Sequence, residues 1–240
     1  MAPGPIVIVG GHFSKSRDYR GLARVLGEIT GSETHVVEIT PSDWLLGRLR
    51  GYHRLLSRIQ STVERALSGG PSEKAVLVAH SAGGVAARVY LGGEEAYRGR
   101  RYSGHRRVSH LVTLASPHRV VDRAALSPIT EANRLFPETP HAATGLRYVS
   151  VAGNAVDGAD PESPLVARKR YGFFGGEERV PGDGVIPVES TRLAGGESVV
   201  VDGLYHDHHR GRWYGSDRET VERWWPADLR NGGPALTPSL

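Results

Sequence analysis

Apolar positions along this chain follow two rhythms. Short, largely β-branched runs lie at Ile6 to Val9, His35 to Ile39, Ala75 to Ala79, Ser109 to Leu114, Arg147 to Val151 and Ser198 to Val201. Continuous runs of this kind suit strands covered on both faces of a sheet. Between them apolar residues return at helical spacing. Leu22, Val25 and Leu26 form one stripe, and Val85 and Val89 another. A longer stripe of Leu55, Ile59, Val63 and Leu67 has Arg54, Arg58 and Glu64 on its opposite side. Strands alternating with helices predict an α/β fold with a mostly parallel sheet. A last helix is predicted from Ser216, with Glu219 three residues on as a capping box, turning Val221, Trp224 and Trp225 inward.

Two connections are too long for simple turns. Residues 119–145 carry Leu126, Ile129, Leu135 and Phe136 among prolines, and residues 153–184 are rich in Gly, Pro and charge. Each reads either as a lid or binding loop, or as an excursion packed on the body. At 240 residues the chain suits one α/β domain, placed at residues 1–230 with 119–145 as its possible lid. Residues 231–240, rich in Gly, Pro and Ser, read as a loose tail.

Composition narrows the chemistry. The chain has no cysteine, which removes disulfides, thiolate metal sites and a thiol nucleophile. No apolar run approaches the length of a membrane span, and the N-terminus enters the first strand without a leader pattern, so a cytoplasmic location is expected. The net charge is +4, and lysine occurs only at positions 15, 74 and 169. The cluster Arg98, Arg100, Arg101, His105, Arg106 and Arg107 could face an anion or a nucleic acid. Only Tyr97 and Tyr102 interleave with it, so it reads as a solvated loop and no nucleic-acid partner is expected.

Chemistry concentrates at Val76-Leu77-Val78-Ala79-His80-Ser81-Ala82-Gly83-Gly84. An apolar run ending in a serine between small residues reads as a nucleophile elbow, a strand-to-helix turn too tight for large side chains two positions before or after the serine. Ala79 and Gly83 fill those positions, Ala79 departing from the usual glycine by one methyl. An ordinary turn with a surface serine would read similarly. A serine hydroxyl needs a base, and the base needs a carboxylate to orient it and stabilise its cationic form. In this kind of sheet they follow in the order Ser, acid, His. Asp183, between glycines in Pro181-Gly182-Asp183-Gly184, and His206, after the Ser198 strand, supply both. Asp157 and Asp160 are competing acids, and His208 and His209 competing bases. The His206 to His209 cluster could also be read as a metal site, but it lacks the helical spacing of ligands, so no metal is expected. His80 is predicted to point away from Ser81 and to pack. Oxyanion donors are predicted at the N–H of Ala82 and, from the Val9-Gly10-Gly11-His12-Phe13 loop, that of His12 or else Phe13. The Gly10-Gly11 pair lacks the spacing of a dinucleotide turn.

With these residues in place the chain resembles lipase-like α/β-hydrolases, and within them a group from cyanobacteria and plant plastids. The likeness rests on Asp43-Trp44-Leu45, on Ala79 to Gly84, and on Leu111-Val112-Thr113-Leu114-Ala115-Ser116-Pro117-His118. It continues in Arg147 to Gly153, in Gly182-Asp183-Gly184-Val185-Ile186-Pro187, and in Trp213-Tyr214-Gly215-Ser216. It implies an α/β-hydrolase fold, helices on both sheet faces, a small lid, and hydrolysis of a small-molecule acyl ester or lipid by Ser81, Asp183 and His206 without a cofactor. Some lipases with a similar loop bind calcium through an acid two residues after the histidine; here His208 stands there, so the ion is not carried over. Phe13 and His118 are expected near substrate. A thioesterase, amidase or acyltransferase would use the same residues, and a noncatalytic binder of a lipid or partner could share the pocket.

Overall fold

The computed structural model describes residues 4–12, 14–120, 128–158, 167, 171 and 181–230. The six predicted strands all form. β1 (Ile6–Val9), β2 (Thr34–Val36), β3 (Ala75–His80), β4 (Val108–Leu114), β5 (Arg147–Gly153) and β8 (Glu197–Val201) make one sheet in the order β2-β1-β3-β4-β5-β8, every neighbour parallel. The remaining pair, β6 (Val156–Asp157) and β7 (Pro181–Gly182), is a two-residue antiparallel ladder outside the sheet. Such a ladder costs little chain, and it sets down residue 183 beside the carboxyl end of β5.

The strand period of two divides the core between the sheet's faces. Val7, Val9, Leu77, Ala79, Leu111 and Tyr148 lie in one buried cluster, whereas Ile6, Ile8, Val76, Val78, Val112, Val149 and Val151 lie in another. The first cluster is closed by α2 (Pro41–Arg50), α3 (His53–Ser68), α4 (Ala82–Leu91) and α5 (Pro128–Leu135), the second by α1 (Arg20–Thr30) and the C-terminal helix Arg218–Glu222. The predicted stripes face inward: Leu22, Val25 and Leu26 on α1, and Leu55, Ile59 and Val63 on α3, are buried.

Three expectations shift. β2 ends at Val36 rather than Ile39, its pairing with β1 stopping at Ile8; Val37 still donates its N–H to Ile8 O at 2.9 Å. The run at Ser198 is not covered on both faces. It is an edge strand, and Val200 is exposed. The last helix is capped one residue later than predicted, by Asp217, whose Oδ1 accepts the Thr220 N–H at 2.8 Å, while Ser216 Oγ accepts the Trp213 N–H instead. The carboxylate is the stronger acceptor for a helix start. Val221, Trp224 and Trp225 are buried as predicted.

Of the long connections, the described part of residues 119–145 packs on the body. Ala132, Leu135 and Phe136 are buried, and the buried Arg88 of α4 donates to Asn133 Oδ1 at 2.7 Å and to Phe136 O. Leu126 and the tail 231–240 lie outside the described residues.

The pattern of apolar positions did not predict α2. It starts from local chemistry: Pro41 opens it, and the Asp43 carboxylate accepts the Thr40 N–H at 2.9 Å and the Thr40 hydroxyl at 2.7 Å. Asp43 is buried and also faces Arg58 at 2.9 Å and Arg54 at 3.5 Å. Burial works against its ionisation, but the Thr40 bonds and the two guanidinium groups outweigh it and hold the carboxyl below its usual range. A carboxyl depressed by folding contributes stability above its unfolded pKa, and the contribution is lost as pH falls through the folded value. Asp43→Asn is therefore expected to lower the unfolding free energy by about 1–3 kcal/mol at neutral pH. The gap to the parent should narrow below about pH 4. Urea unfolding of both proteins at pH 7 and pH 3 checks the size and the sign.

Candidate active site

β3 delivers Ser81 to the carboxyl edge of the sheet, and α4 carries the chain away. Between them Ser81 has φ 53° and ψ −131°, a conformation that L residues adopt only under constraint. The constraint is visible on both sides. The Ser81 N–H is held by Leu114 O at 2.8 Å at the end of β4. A Cβ on Gly83 would stand 2.5 Å from Gly10 O and 2.8 Å from Val9 O, so α4 can approach the end of β1 only with glycine there. A Cβ on Gly84 would meet Ser116 Oγ at 2.0 Å, which closes the other flank in the same way.

Asp183 and His206 arrive from separate loops. Asp183 is fully buried, and its Oδ1 accepts the N–H groups of Val185 at 3.0 Å and Ile186 at 2.8 Å. Its Oδ2 lies 2.7 Å from His206 Nδ1 and accepts the Tyr214 hydroxyl at 3.1 Å. The two loops are joined again where the His206 N–H donates to Asp183 O at 2.9 Å. His206 Nε2 stands 3.0 Å from Ser81 Oγ. Burial alone would raise the Asp183 pKa; the facing imidazole and the two backbone N–H groups outweigh it, so the carboxyl titrates below its usual range. Ser81, Asp183 and His206, named from the sequence, are thus brought into one hydrogen-bonded line.

Among the described residues no competitor joins this line, although His208 and His209 border the same cavity as Ser81. Asp157 is exposed on β6 opposite Pro181, and Asp160 lies outside the described residues, as does Phe13. His208 and His209 meet in a tilted contact, ring centroids 3.8 Å apart. Among the described residues no three His, Cys, Asp or Glu side chains converge as a metal site would require.

Ala82 opens α4, so its N–H has no acceptor within the helix. Gly11 abuts the serine: a Cβ there would lie 2.9 Å from Ser81 Cβ. The Gly11 N–H is taken by Tyr19 Oη at 2.8 Å, and His12 follows it along that loop. The His12 ring meets Trp44 of α2 edge to face, centroids 5.3 Å apart. Gly11, His12, Tyr19, Ser81, His206 and Trp213 line a cavity of about 280 Å³.

His118 is placed differently from the expectation. It is buried, bonded to Thr113 Oγ1 at 3.2 Å, and lines a second cavity with Arg88 and Asn133 rather than the one at Ser81. β4 ends at Leu114, and the chain then turns so that the His118 N–H bonds Ser190 O, carrying the ring away from the serine. The arginine-rich stretch does not line the cavity at Ser81. Tyr97 and Tyr102, the aromatics within it, are buried, and Arg98 pairs with Glu131 at 3.0 Å.

Three residues that hold the site were not singled out from the sequence. Tyr19 and Tyr171 carry no local signal; Tyr171 Oη accepts the Gly184 N–H at 2.8 Å behind Asp183. Tyr214 stood within the Trp213-Tyr214-Gly215-Ser216 motif, but nothing in the motif indicates that its hydroxyl faces the acid. That hydroxyl also accepts the Gly153 N–H at 2.7 Å, joining the end of β5 to Asp183.

Solved structures share this architecture. The mature lipase BlEst2 of Bacillus licheniformis matches with a TM-score of 0.54 and 16% identity over 85% of each chain. The phospholipase PlaB of Legionella pneumophila matches with a TM-score of 0.58 and 12% identity over 87% of this chain, which spans only 54% of PlaB. A gene product of Listeria innocua matches with a TM-score of 0.50 and 12% identity, covering 92% of this chain and 91% of its own. No family model matches the sequence, and no curated protein matches it. No helix among the described residues is long and apolar enough to cross a membrane. At these identities the likeness shows the fold, and the six-stranded parallel sheet flanked by helices on both faces is that of the α/β-hydrolases.

Proposed function

We propose that this chain is a serine hydrolase of the carboxylesterase and lipase kind, cleaving small-molecule acyl esters through an acyl-enzyme on Ser81. The observation that carries the reading is the unbroken line Ser81 Oγ, His206 Nε2, His206 Nδ1, Asp183 Oδ2, with steps of 3.0 Å and 2.7 Å. Its motifs favour the cyanobacterial and plastid branch of the lipase-like hydrolases.

In this reading His206 Nε2 takes the Ser81 proton as Oγ attacks the ester carbonyl, and Asp183 holds the Nδ1 proton and stabilises the imidazolium. The carbonyl oxygen becomes an oxyanion received by the N–H of Ala82 and that of His12. The tetrahedral centre collapses, His206 returns the proton to the leaving alcohol, and the acyl group stays on Ser81. Water then enters, gives a proton to His206, and attacks the acyl carbon; collapse returns that proton to Oγ and frees the acid. Asp183 stays ionised throughout because three donors besides His206 face it: two backbone N–H groups and the Tyr214 hydroxyl. Burial, then the adjacent Asp183 charge, push the Tyr214 pKa well above 10, so it serves as a neutral donor.

Hydrolysis of p-nitrophenyl esters from acetate to palmitate, with Ser81→Ala as control, tests the reading. Turnover that disappears in the variant is expected, and the cavity of about 280 Å³ favours the short end of the series. Equal background rates in both proteins, with no fluorophosphonate label on Ser81, would overturn it. Asp183→Asn should lower kcat by about 10³–10⁴-fold while the fold persists. Tyr214→Phe deprives the Gly153 N–H of its acceptor and Asp183 of a donor. A stability loss of about 1–3 kcal/mol in urea unfolding is expected, with kcat reduced by a smaller factor than in Asp183→Asn.

A further inference from the structure

His80, next to the serine, is buried and sits among the polar groups of the site without belonging to the line from Ser81 to Asp183. Its Nε2 is 3.0 Å from His206 O and its Nδ1 is 2.9 Å from Tyr19 Oη. A carbonyl oxygen only accepts, so Nε2 carries a proton. Burial, with the neighbouring His206 next, lowers the His80 pKa to about 3, so the ring is neutral and Nδ1 offers a lone pair. The Tyr19 hydroxyl, which also faces Ser14 Oγ as a donor, is the donor that meets this lone pair. Ser14 Oγ lies 3.1 Å from the same hydroxyl but gives its own proton to Gly11 O at 2.7 Å. The Tyr19 oxygen in turn accepts the Gly11 N–H at 2.8 Å. The result is one directed chain: Gly11 N–H to Tyr19 O–H to His80 Nδ1, and His80 Nε2–H to the His206 carbonyl.

We infer that His80 is a positioning residue that ties the loop carrying the proposed oxyanion donors to the backbone of the proposed base, fixing the distance between them across Ser81. The inference rests on the hydrolase reading above. Its physical content is that the two loops come from opposite ends of the sequence, 69 residues before His80 at Gly11 and 126 residues after it at His206. His80 with Tyr19 joins them. The ring is also clamped by packing, with its centroid 4.7 Å from that of His206 and 5.9 Å from those of Tyr19 and Trp213. A nonpolar ring at position 80 would keep the packing and break the chain at both nitrogens. It would also strand the His206 carbonyl in a place with little water.

Steady-state hydrolysis of p-nitrophenyl butyrate by the full chain and by His80→Phe, His80→Gln and Tyr19→Phe separates positioning from packing, with melting curves for each protein. A positioning role predicts that His80→Phe lowers kcat by about 30-fold or more with KM within about three-fold, since small displacements of reacting groups act on the transition state. His80→Gln, whose amide N–H reaches the His206 carbonyl, should restore kcat to within about five-fold of the parent. Tyr19→Phe, which removes one hydroxyl and keeps the ring, should lower kcat by about five-fold. Parent-level kcat in His80→Phe or in Tyr19→Phe overturns the inference, as does a loss in His80→Phe that His80→Gln does not restore. If His80→Phe fails to fold, Tyr19→Phe and His80→Gln decide it alone. An inactive parent with Ser81 unlabelled by fluorophosphonate would instead sink the hydrolase reading and this inference with it. An active parent with unaffected variants sinks this inference only.

Discussion

The backbone at Ser81 holds a φ of 53° that no glycine relieves, and the surrounding structure is arranged so that this conformation persists. A residue placed there costs on the order of 1–3 kcal/mol, and the cost is offset by contacts that exist only if α4 leaves β3 at this sharp angle. Gly83 brings α4 against the carbonyl oxygens of Val9 and Gly10, and Gly84 brings it against Ser116. Leu114 O receives the Ser81 N–H. Three strands, β1, β3 and β4, are thereby locked to one helix start. Because Gly10 and Gly83 touch, Gly11 falls against Ser81 Cβ, and the order of loops around the serine follows from that approach.

The second constraint is the burial of charge. An ionised carboxylate fully removed from water is costly unless its oxygens are occupied. Asp183 meets that requirement with the Val185 and Ile186 N–H groups on one oxygen and with His206 and Tyr214 on the other. Two of these donors lie in the acid's own loop and two come from later in the chain. The shell of donors around the carboxylate is therefore completed only by residues beyond the acid's own loop.

This division explains what could be read from the chain. Strands and the amphipathic helices α1 and α3 were legible because burial imposes a period on the sequence, and Ser81, Asp183 and His206 could be picked out together because the proposed proton transfer restricts the residue types and the fold restricts their order. α2 was not legible from periodicity: it is built on Thr40, Pro41 and Asp43, and its buried Trp44 is isolated rather than part of a stripe. The cap of the last helix moved by one residue because Ser216 and Asp217 are both competent acceptors, and only the tertiary position of Trp213 N–H decides which of them caps. His118 was expected near substrate on the strength of following β4. Its N–H bonds Ser190 O and it lines a second cavity beside Arg88, and no local signal foretells a contact 72 residues away. The tyrosines were invisible for a related reason, since a buried phenol serves packing and hydrogen bonding alike, and the sequence does not distinguish the two.

Tyr19, Tyr214, Tyr171 and His80 share a property that bears on the proposed chemistry. Burial drives the three phenols up and the imidazole down in pKa, so all four are neutral over the range in which proteins work. Each nonetheless engages polar groups of the site's loops. Tyr19 joins Gly11 to His80, His80 joins Tyr19 to the His206 carbonyl, Tyr214 joins Gly153 to Asp183, and Tyr171 receives the Gly184 N–H. Charged residues could have joined the same loops, but a cation within a few ångströms would compete with His206 for Asp183, and an anion would compete with Asp183 for the imidazolium. In a poorly solvated site either would be worth several kilocalories per mole. Neutral dipoles hold the geometry with far smaller fields, so these four residues leave the proposed interplay of Asp183 and His206 undisturbed.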